Sequence, residues 1–234
     1  MNASQTVALV TGACSALGQE YCRQLAGSCD RLIAVARRTE ELEGLAGELT
    51  ARVTLIPLGV DLATVEGVTR VVETLRQQGP VDYLVNNAGF STVGDFGRSA
   101  PEAQLQAVRL HIDAALELTR AALPFMRARG AGHIINVASI AAWLEQKDHA
   151  VYAASSAFMM QFSQSLQAEV AADHIGVQCL CPGLAQADVH QAPAVVAASL
   201  AALAGGAVMV VPEAFNRQLL REHLQRQLQS VGEQ

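Results

Sequence analysis

Residues 136–156 read NVASIAAWLEQKDHAVYAASS. The apolar run HIINVA that ends at residue 138 has the character of a buried strand. A connecting segment follows, and AVYAASS opens a long helix. The stretch therefore sets one hydroxyl, Ser139, at the C-terminal end of a strand. It sets one phenol, Tyr152, on the following helix, thirteen residues later. In open α/β sheets ligands bind outside the carboxyl ends of the strands. A serine and a tyrosine at that place suit proton transfer to or from a carbonyl or an alcohol.

Working outward, strands and helices alternate along the whole chain. Apolar β-branched runs predict strands at 6–10, 31–36, 53–58, 81–85, 134–138, 177–180 and 208–211. Helical patterns occupy 16–26, 40–49, 65–77, 102–129, 150–173, 194–204 and 213–229, with Pro124 near the end of the fourth. Strands that are apolar on both faces need cover on both faces. The expected fold is α/β: a Rossmann-type doubly wound parallel sheet of about seven strands, with helices on both faces. No repeat or linker divides residues 1–234, so one domain is expected.

Composition agrees with a packed enzyme-sized core. The chain is 51% hydrophobic and 16% charged, with a net charge of −6 and no basic run. That balance argues against disorder and against nucleic acid as a partner. The start MNASQTVALVTG has neither the basic segment nor the long apolar run of a secretory signal. No uninterrupted apolar run has the length of a membrane span. A cytoplasmic location is expected. The cysteines at 14, 22, 29, 179 and 181 form no C-x-x-C pair. Cys179 and Cys181 share a strand face, a poor geometry for a disulfide, so all five are expected as reduced thiols. The six histidines show no metal-ligand spacing, and no metal is expected.

The first strand runs into TGACSALG, residues 11–18. A Gly-rich turn between strand and helix presents backbone N–H groups and a helix N-terminus to a pyrophosphate. Asp61 follows the third strand, and Asn86-Asn87-Ala88-Gly89 follows the fourth. The second strand ends at Ala36, where a carboxylate would favour NAD. Arg37 follows and can pair with a 2′-phosphate, so NADP is favoured over NAD.

These features together resemble the short-chain dehydrogenase/reductase family over residues 6 to about 212. Its signatures are T-G-x-x-x-G-x-G and a Ser followed thirteen residues later by Tyr-x-x-x-Lys. Gly12 and Gly18 match, and Ala16 stands at the middle glycine. A methyl there would crowd the phosphates or demand an unfavourable backbone angle. The resemblance implies a cofactor site of Gly12, Ser15, Leu17, Gly18, Arg37, Asp61, Asn87, Gly89, Pro182 and Gly183. It implies that Tyr152 passes the proton and that Ser139 hydrogen-bonds the substrate oxygen. The family's Lys holds the nicotinamide ribose and lowers the Tyr pKa, and its Asn supports a water chain to that Lys. Ser156 stands at the Lys position and His111 at the Asn position, the latter expected as a hydrogen-bonded helix histidine. A tyrosine phenol has an unperturbed pKa of about 10, and Ser156 brings no charge to lower it. Lys147, Asp148 and His149 are expected in a loop that points away from the site.

Two further departures concern the C-terminal third. The Thr expected after Pro182-Gly183 is replaced at about Ala187, and only residues 184–192 stand where the family inserts a longer lid. The helix 213–229 carries Phe215, Leu219, Leu220, Leu224 and Leu228 and is expected to pack on its own sheet or on a second subunit. The resemblance implies a homodimer built on the fourth and fifth helices. Three functions follow from these residues. The first is an atypical NADP-dependent oxidoreductase using Ser139 and Tyr152 on an unnamed small molecule. The second is a catalytically degenerate binding or scaffold protein. The third is a non-redox enzyme of lyase or isomerase type.

Overall fold

The computed structural model describes residues 5–183 and 190–232. Seven parallel strands form one sheet in the order β3-β2-β1-β4-β5-β6-β7. They are β1 (Val7–Thr11), β2 (Arg31–Ala36), β3 (Thr54–Gly59), β4 (Tyr83–Asn86), β5 (Gly132–Val137), β6 (Ile175–Leu180) and β7 (Met209–Val210). The helices are α1 (Ala16–Leu25), α2 (Thr39–Leu49), α3 (Val65–Gln78), α4 (Pro101–Val108), α5 (Ala114–Arg129), α6 (Ala150–Val170), α7 (Ala192–Ala204) and α8 (Ala214–Gly232).

Side chains alternate across a strand, and the sequence uses that period to build two cores. Ala8, Val10, Leu32 and Ala34 face α1, α2 and α7, meeting Leu17, Tyr21, Leu42, Leu45 and Val196. Val7, Leu9, Ile33 and Val35 face the other way, toward Val71, Leu75, Leu118, Met126 and Leu166 of α3, α5 and α6. Each fully buried side chain of this size contributes roughly 1.5–3 kcal/mol, so the two-sided pattern fixes register and layer order. A third, smaller cluster of Ala115, Ala138, Met159, Cys179 and Cys181 lies at the end of β5 and β6. The Cys179 and Cys181 sulfurs are 3.5 Å apart and unbonded. A bond would need about 2.05 Å. The hydrogen bond to Cys179, with burial, holds the Cys181 thiol far above its ordinary range.

Consecutive strands step outward from β1 to β3, and β4 then pairs with the opposite edge of β1. This reversal opens a crevice at the C-terminal ends of β1 and β4, where open sheets of this kind bind ligands.

One expectation about helices is corrected. The single helix expected over 102–129 is two, because Arg109–Asp113 form a π turn between α4 and α5. A π turn adds a residue to one helical turn and rotates the face that follows it. It leaves Leu118, Ala122 and Met126 on the core while His111 reaches sideways. α8 is covered on one side only: Asn216, Leu219, Leu220 and His223 are half-buried, and no residue between 214 and 230 is fully buried. Phe215 and Leu228 are 76% and 74% exposed. Pattern alone does not reveal this, since a row of leucines fits an internal or an external partner equally. Among the described residues, no helix is long and apolar enough to cross a membrane.

Candidate active site

The turn after β1 is held by contacts that exclude other residues. Gly12 has φ +64, in the left-handed region that suits glycine. A Cβ there would also meet Asn87 Nδ2 at 2.7 Å and the Ala88 Cα at 2.9 Å. At Gly18 a Cβ would run into the Gly12 carbonyl, so the first turn of α1 lies directly on the loop. Ser15 caps α1, its Oγ accepting the Gly18 N–H at 3.1 Å. Leu17 is buried in the core, so only its backbone can face the crevice. Ala16 opens α1 at negative φ, since Asp148 and His174 are the non-glycine residues at positive φ among those described. The unfavourable backbone angle considered for a side chain at 16 is therefore not adopted.

The Asn86–Gly89 turn is stitched to this loop. Thr11 Oγ1 accepts the N–H groups of Asn87 and Ala88, both at 2.9 Å. Asn87 Nδ2 donates to the carbonyl of Thr11 at 2.9 Å and lies 3.1 Å from Ser15 Oγ. A cavity of about 350 Å³ opens above these turns, lined among others by Gly12, Ser15, Arg37, Asp61 and Gly89. Arg37 is exposed and has no ion pair among the described residues. Arg38 is occupied: it pairs with Glu41 and donates to the Cys14 carbonyl at 3.0 Å. Asp61 turns its Oδ1 to the Ala63 N–H at 2.9 Å.

A second cavity, of about 420 Å³, adjoins the first through shared walls at Leu62, Ala88, Gly89, Phe90 and Leu110. Tyr152, Ser155, Ser156 and Met159 of α6 line it, and so does His149 just before the helix. Residues three, four and seven apart share a helical face, which places Tyr152 and Ser156 together. Ser139 is fully buried and is not part of the cavity wall. Its Oγ accepts the Ala141 N–H at 3.2 Å and caps a short 3₁₀ turn, Ile140–Ala142, against which α6 packs.

A short chain dehydrogenase model matches residues 6–194 of this sequence. The chain belongs to the short-chain dehydrogenase family. It is 37% identical over 188 residues to a fruit-fly (Drosophila melanogaster) protein named Dehydrogenase/reductase SDR family protein 7-like, covering 76% of this chain and 56% of that one. The chain thus spans just over half the length of the insect relatives it matches. It is 33% identical to a probable NADP-dependent dehydrogenase of Haemophilus influenzae, covering 76% of this chain and 71% of the relative. A short-chain dehydrogenase from Sphingobium yanoikuyae in complex with NADPH superposes with a TM-score of 0.84. It is 26% identical, and the match covers 96% of this chain and 95% of that one.

Within this short-chain dehydrogenase fold, His111 is fully engaged. Its Nε2 accepts the Phe90 N–H at 2.9 Å, so the ring proton sits on Nδ1, 2.9 Å from Ser155 Oγ. Ser155 donates onward to the Tyr152 carbonyl at 3.0 Å. The chain of bonds ties the Gly89-Phe90 turn to α6 through the π turn. Gly89 makes it possible, because a Cβ there would strike the His111 ring. Burial pushes the His111 pKa down to about 4. Protonation at Nε2 would also set two donors, the ring and the Phe90 N–H, against each other.

This has a measurable consequence. The unfolded chain takes up a proton at His111 near pH 6.5, whereas the native state resists until about pH 4. Stability should therefore fall as pH drops through that window, by about 3 kcal/mol at its lower end. Urea denaturation at pH 7 and pH 4.5 should show a smaller loss for His111→Gln than for the wild type.

Pro182 and Gly183 follow β6 and stand outside the described walls of both cavities. The Pro182 carbonyl accepts the Ile140 N–H at 3.0 Å, and Gly183 donates its N–H to Glu213 Oε1 at 3.2 Å. A side chain at Gly183 would meet Asn216, so the start of α8 abuts this turn. The substitution at Ala187 and the shortened segment after Gly183 fall on residues 184–189, outside those described.

The structure brings His149 to the cavity wall, against the expectation that 147–149 point away. Lys147 is exposed and does not line the cavity. The signal was present in the spacing: His149 lies three residues before Tyr152 and seven before Ser156. What hid it was the loop between strand and helix, whose direction no periodicity gives.

Proposed function

We propose that this chain is an atypical NADP-dependent oxidoreductase acting on a carbonyl or alcohol through Tyr152, with Ser139 fixing the 3₁₀ turn beside it. The observation that carries this reading is the junction of the two cavities at Ala88–Phe90. One cavity holds the glycine turn and the α1 N-terminus, and the other holds the Tyr152 phenol. A dinucleotide laid along that line fits the residues present. The α1 N–H groups and the close-packed Gly12 and Gly18 would receive the pyrophosphate, Arg37 a 2′-phosphate, and Asp61 the adenine end. When bound, NADP would supply or accept the hydride. Tyr152 would pass the proton to or from the substrate oxygen, and the apolar walls of Leu110, Leu118 and Met159 would exclude water.

The described cavity lining contains no Lys, Arg, Asp or Glu; its titratable groups are His111, His149 and Tyr152. Burying an unpaired charge costs several kcal/mol, so a substrate uncharged at its reacting end is favoured. The lysine that the family pattern sets four residues after the tyrosine is Ser156 here. Ser156 is buried in the cavity wall, and no described residue of that wall is a Lys or Arg. That neutrality, with Ser139 off the wall, favours the second reading, a nucleotide-binding relative without turnover. A homodimer through α5 and α6 is part of the first proposal; Phe158, 39% exposed and stacked on Phe162, would lie in that contact.

Titration with NADPH and NADH, read by nucleotide fluorescence and thermal stability, tests the reading. Expected is NADPH binding tighter than NADH binding. Arg37→Ala should weaken NADPH on the order of 10- to 100-fold, the worth of charge-assisted hydrogen bonds, and leave NADH unchanged. Absence of binding of either nucleotide at millimolar concentration would sink the oxidoreductase reading.

A further inference from the structure

We propose that His149 is a proton-relay residue, exchanging protons between solvent and the Tyr152 phenol. The inference rests on the oxidoreductase reading above. It concerns how the phenol is recharged where no described residue of the cavity wall is a lysine or another fixed charge.

Three features of the structure carry it. His149 lines the same cavity as Tyr152, and it occupies the N-cap of α6, one helical turn before the phenol. Its Nδ1 lies 2.9 Å from the Lys147 carbonyl. A carbonyl can only accept, so Nδ1 carries the proton and Nε2 keeps the lone pair. No described residue bonds that Nε2. His111 is the contrast: both its nitrogens are spent on Phe90 and Ser155, and burial keeps it neutral.

The third observation is backbone. Asp148, just before His149, stands at φ +66. A left-handed conformation costs a non-glycine residue roughly 1–2 kcal/mol, with aspartate among the residues that tolerate it. Such outliers persist where surrounding structure holds them. Here the Gly94 N–H donates to the Asp148 carbonyl at 2.9 Å. The turn fixes the chain as it enters α6 with His149 at the cavity and Lys147 and Asp148 exposed. Among the described residues, the groups around His149 that titrate or carry charge are His111 and Tyr152 on the cavity wall, and the exposed Lys147 and Asp148 in its own loop.

The proton balance is simple. In reduction the carbonyl carbon gains hydride, and its π pair moves to oxygen. That oxygen takes the Tyr152 proton. Nε2 of His149 takes up a proton from solvent, and the imidazolium passes that proton to the phenolate, returning to the neutral imidazole with its N–H on Nδ1. One hydride and one proton are consumed for each carbonyl, and alcohol oxidation runs the same path backwards.

His149→Gln should lower kcat on the order of 10²-fold, within the usual worth of acid–base help. It should remove one ionisation from the pH profile of kcat, with NADPH affinity and thermal stability unchanged. Added imidazole should restore turnover to His149→Ala. Independently of turnover, ¹⁵N-histidine NMR of the free protein should show the His149 titration midpoint move in Tyr152→Phe. A wild-type rate and pH profile in His149→Gln, while Tyr152→Phe is inactive, would overturn the relay and leave the oxidoreductase reading standing. A wild-type protein that neither binds NADPH nor reduces carbonyls would remove both. An NMR titration of His149 that ignores Tyr152→Phe would overturn the relay alone.

Discussion

Tyr152→Phe is expected to lower carbonyl turnover by at least 10²- to 10⁴-fold, roughly what a positioned general acid contributes, while leaving NADPH affinity near that of the wild type. The substitution removes one oxygen from a residue that is 8% exposed and keeps the ring against the cavity and against His111, whose ring centroid is 5.7 Å away. The His111–Ser155 link meets the Tyr152 backbone carbonyl, not its side chain, so the tie between the Gly89-Phe90 turn and α6 survives. Folding should change little, which makes the rate readable. The measurement is kcat and KM over a panel of uncharged ketones and aldehydes, with NADPH affinity measured separately. Full activity in the phenylalanine variant would exclude Tyr152 as the proton donor. An activity lost in the variant but present without NADP would instead point to non-redox acid–base work at the same phenol.

Ser156→Lys should act in the opposite direction and raise turnover on the order of 10²-fold. Ser156 lines the cavity one turn after Tyr152, and the open volume beside it gives a four-carbon amine room to extend. A cation there stabilises the phenolate and lowers the phenol pKa toward the working pH. The expected cost is stability. Nothing anionic lines the described cavity to pair with a buried ammonium, and an unpaired buried charge costs several kcal/mol. The variant should therefore melt earlier without nucleotide and recover part of the loss when NADPH binds, by mass action. The same lysine should blunt the effect of His149→Gln, because it offers the phenol another route for its proton. A folded, NADPH-binding Ser156→Lys protein with unchanged turnover would show that the missing cation is not what limits this site. It would move weight to the binding-protein reading.

Much of this architecture was legible in the sequence because it rests on local rules. Apolar runs separated by helical periodicity gave the seven parallel strands and their covering helices. The spacing of Gly12 and Gly18 is a local demand too: one residue needs a left-handed turn, and the other needs no side chain where helix meets loop. Ser139 and Tyr152 were placed correctly on their elements, a strand end and a helix, by the same reasoning.

What the tertiary structure alone decided is where polar side chains turn once those elements pack. His111 meets Phe90 across 21 residues and Ser155 across 44. No periodicity links positions so far apart, and the π turn that allows the meeting looks like uninterrupted helix in the sequence. Ser139 shows the same limit from the other side. Its position at the strand end follows from pattern, but its burial and the Ala141 N–H that its Oγ accepts follow only from the packing of the 3₁₀ turn. The direction of His149 depends on one residue, Asp148, held in a left-handed turn by a bond from Gly94, more than fifty residues earlier in the chain. Strand and helix are fixed by interactions between near neighbours. The chemistry of the cavity is fixed by hydrogen bonds between elements that only the folded sheet brings together.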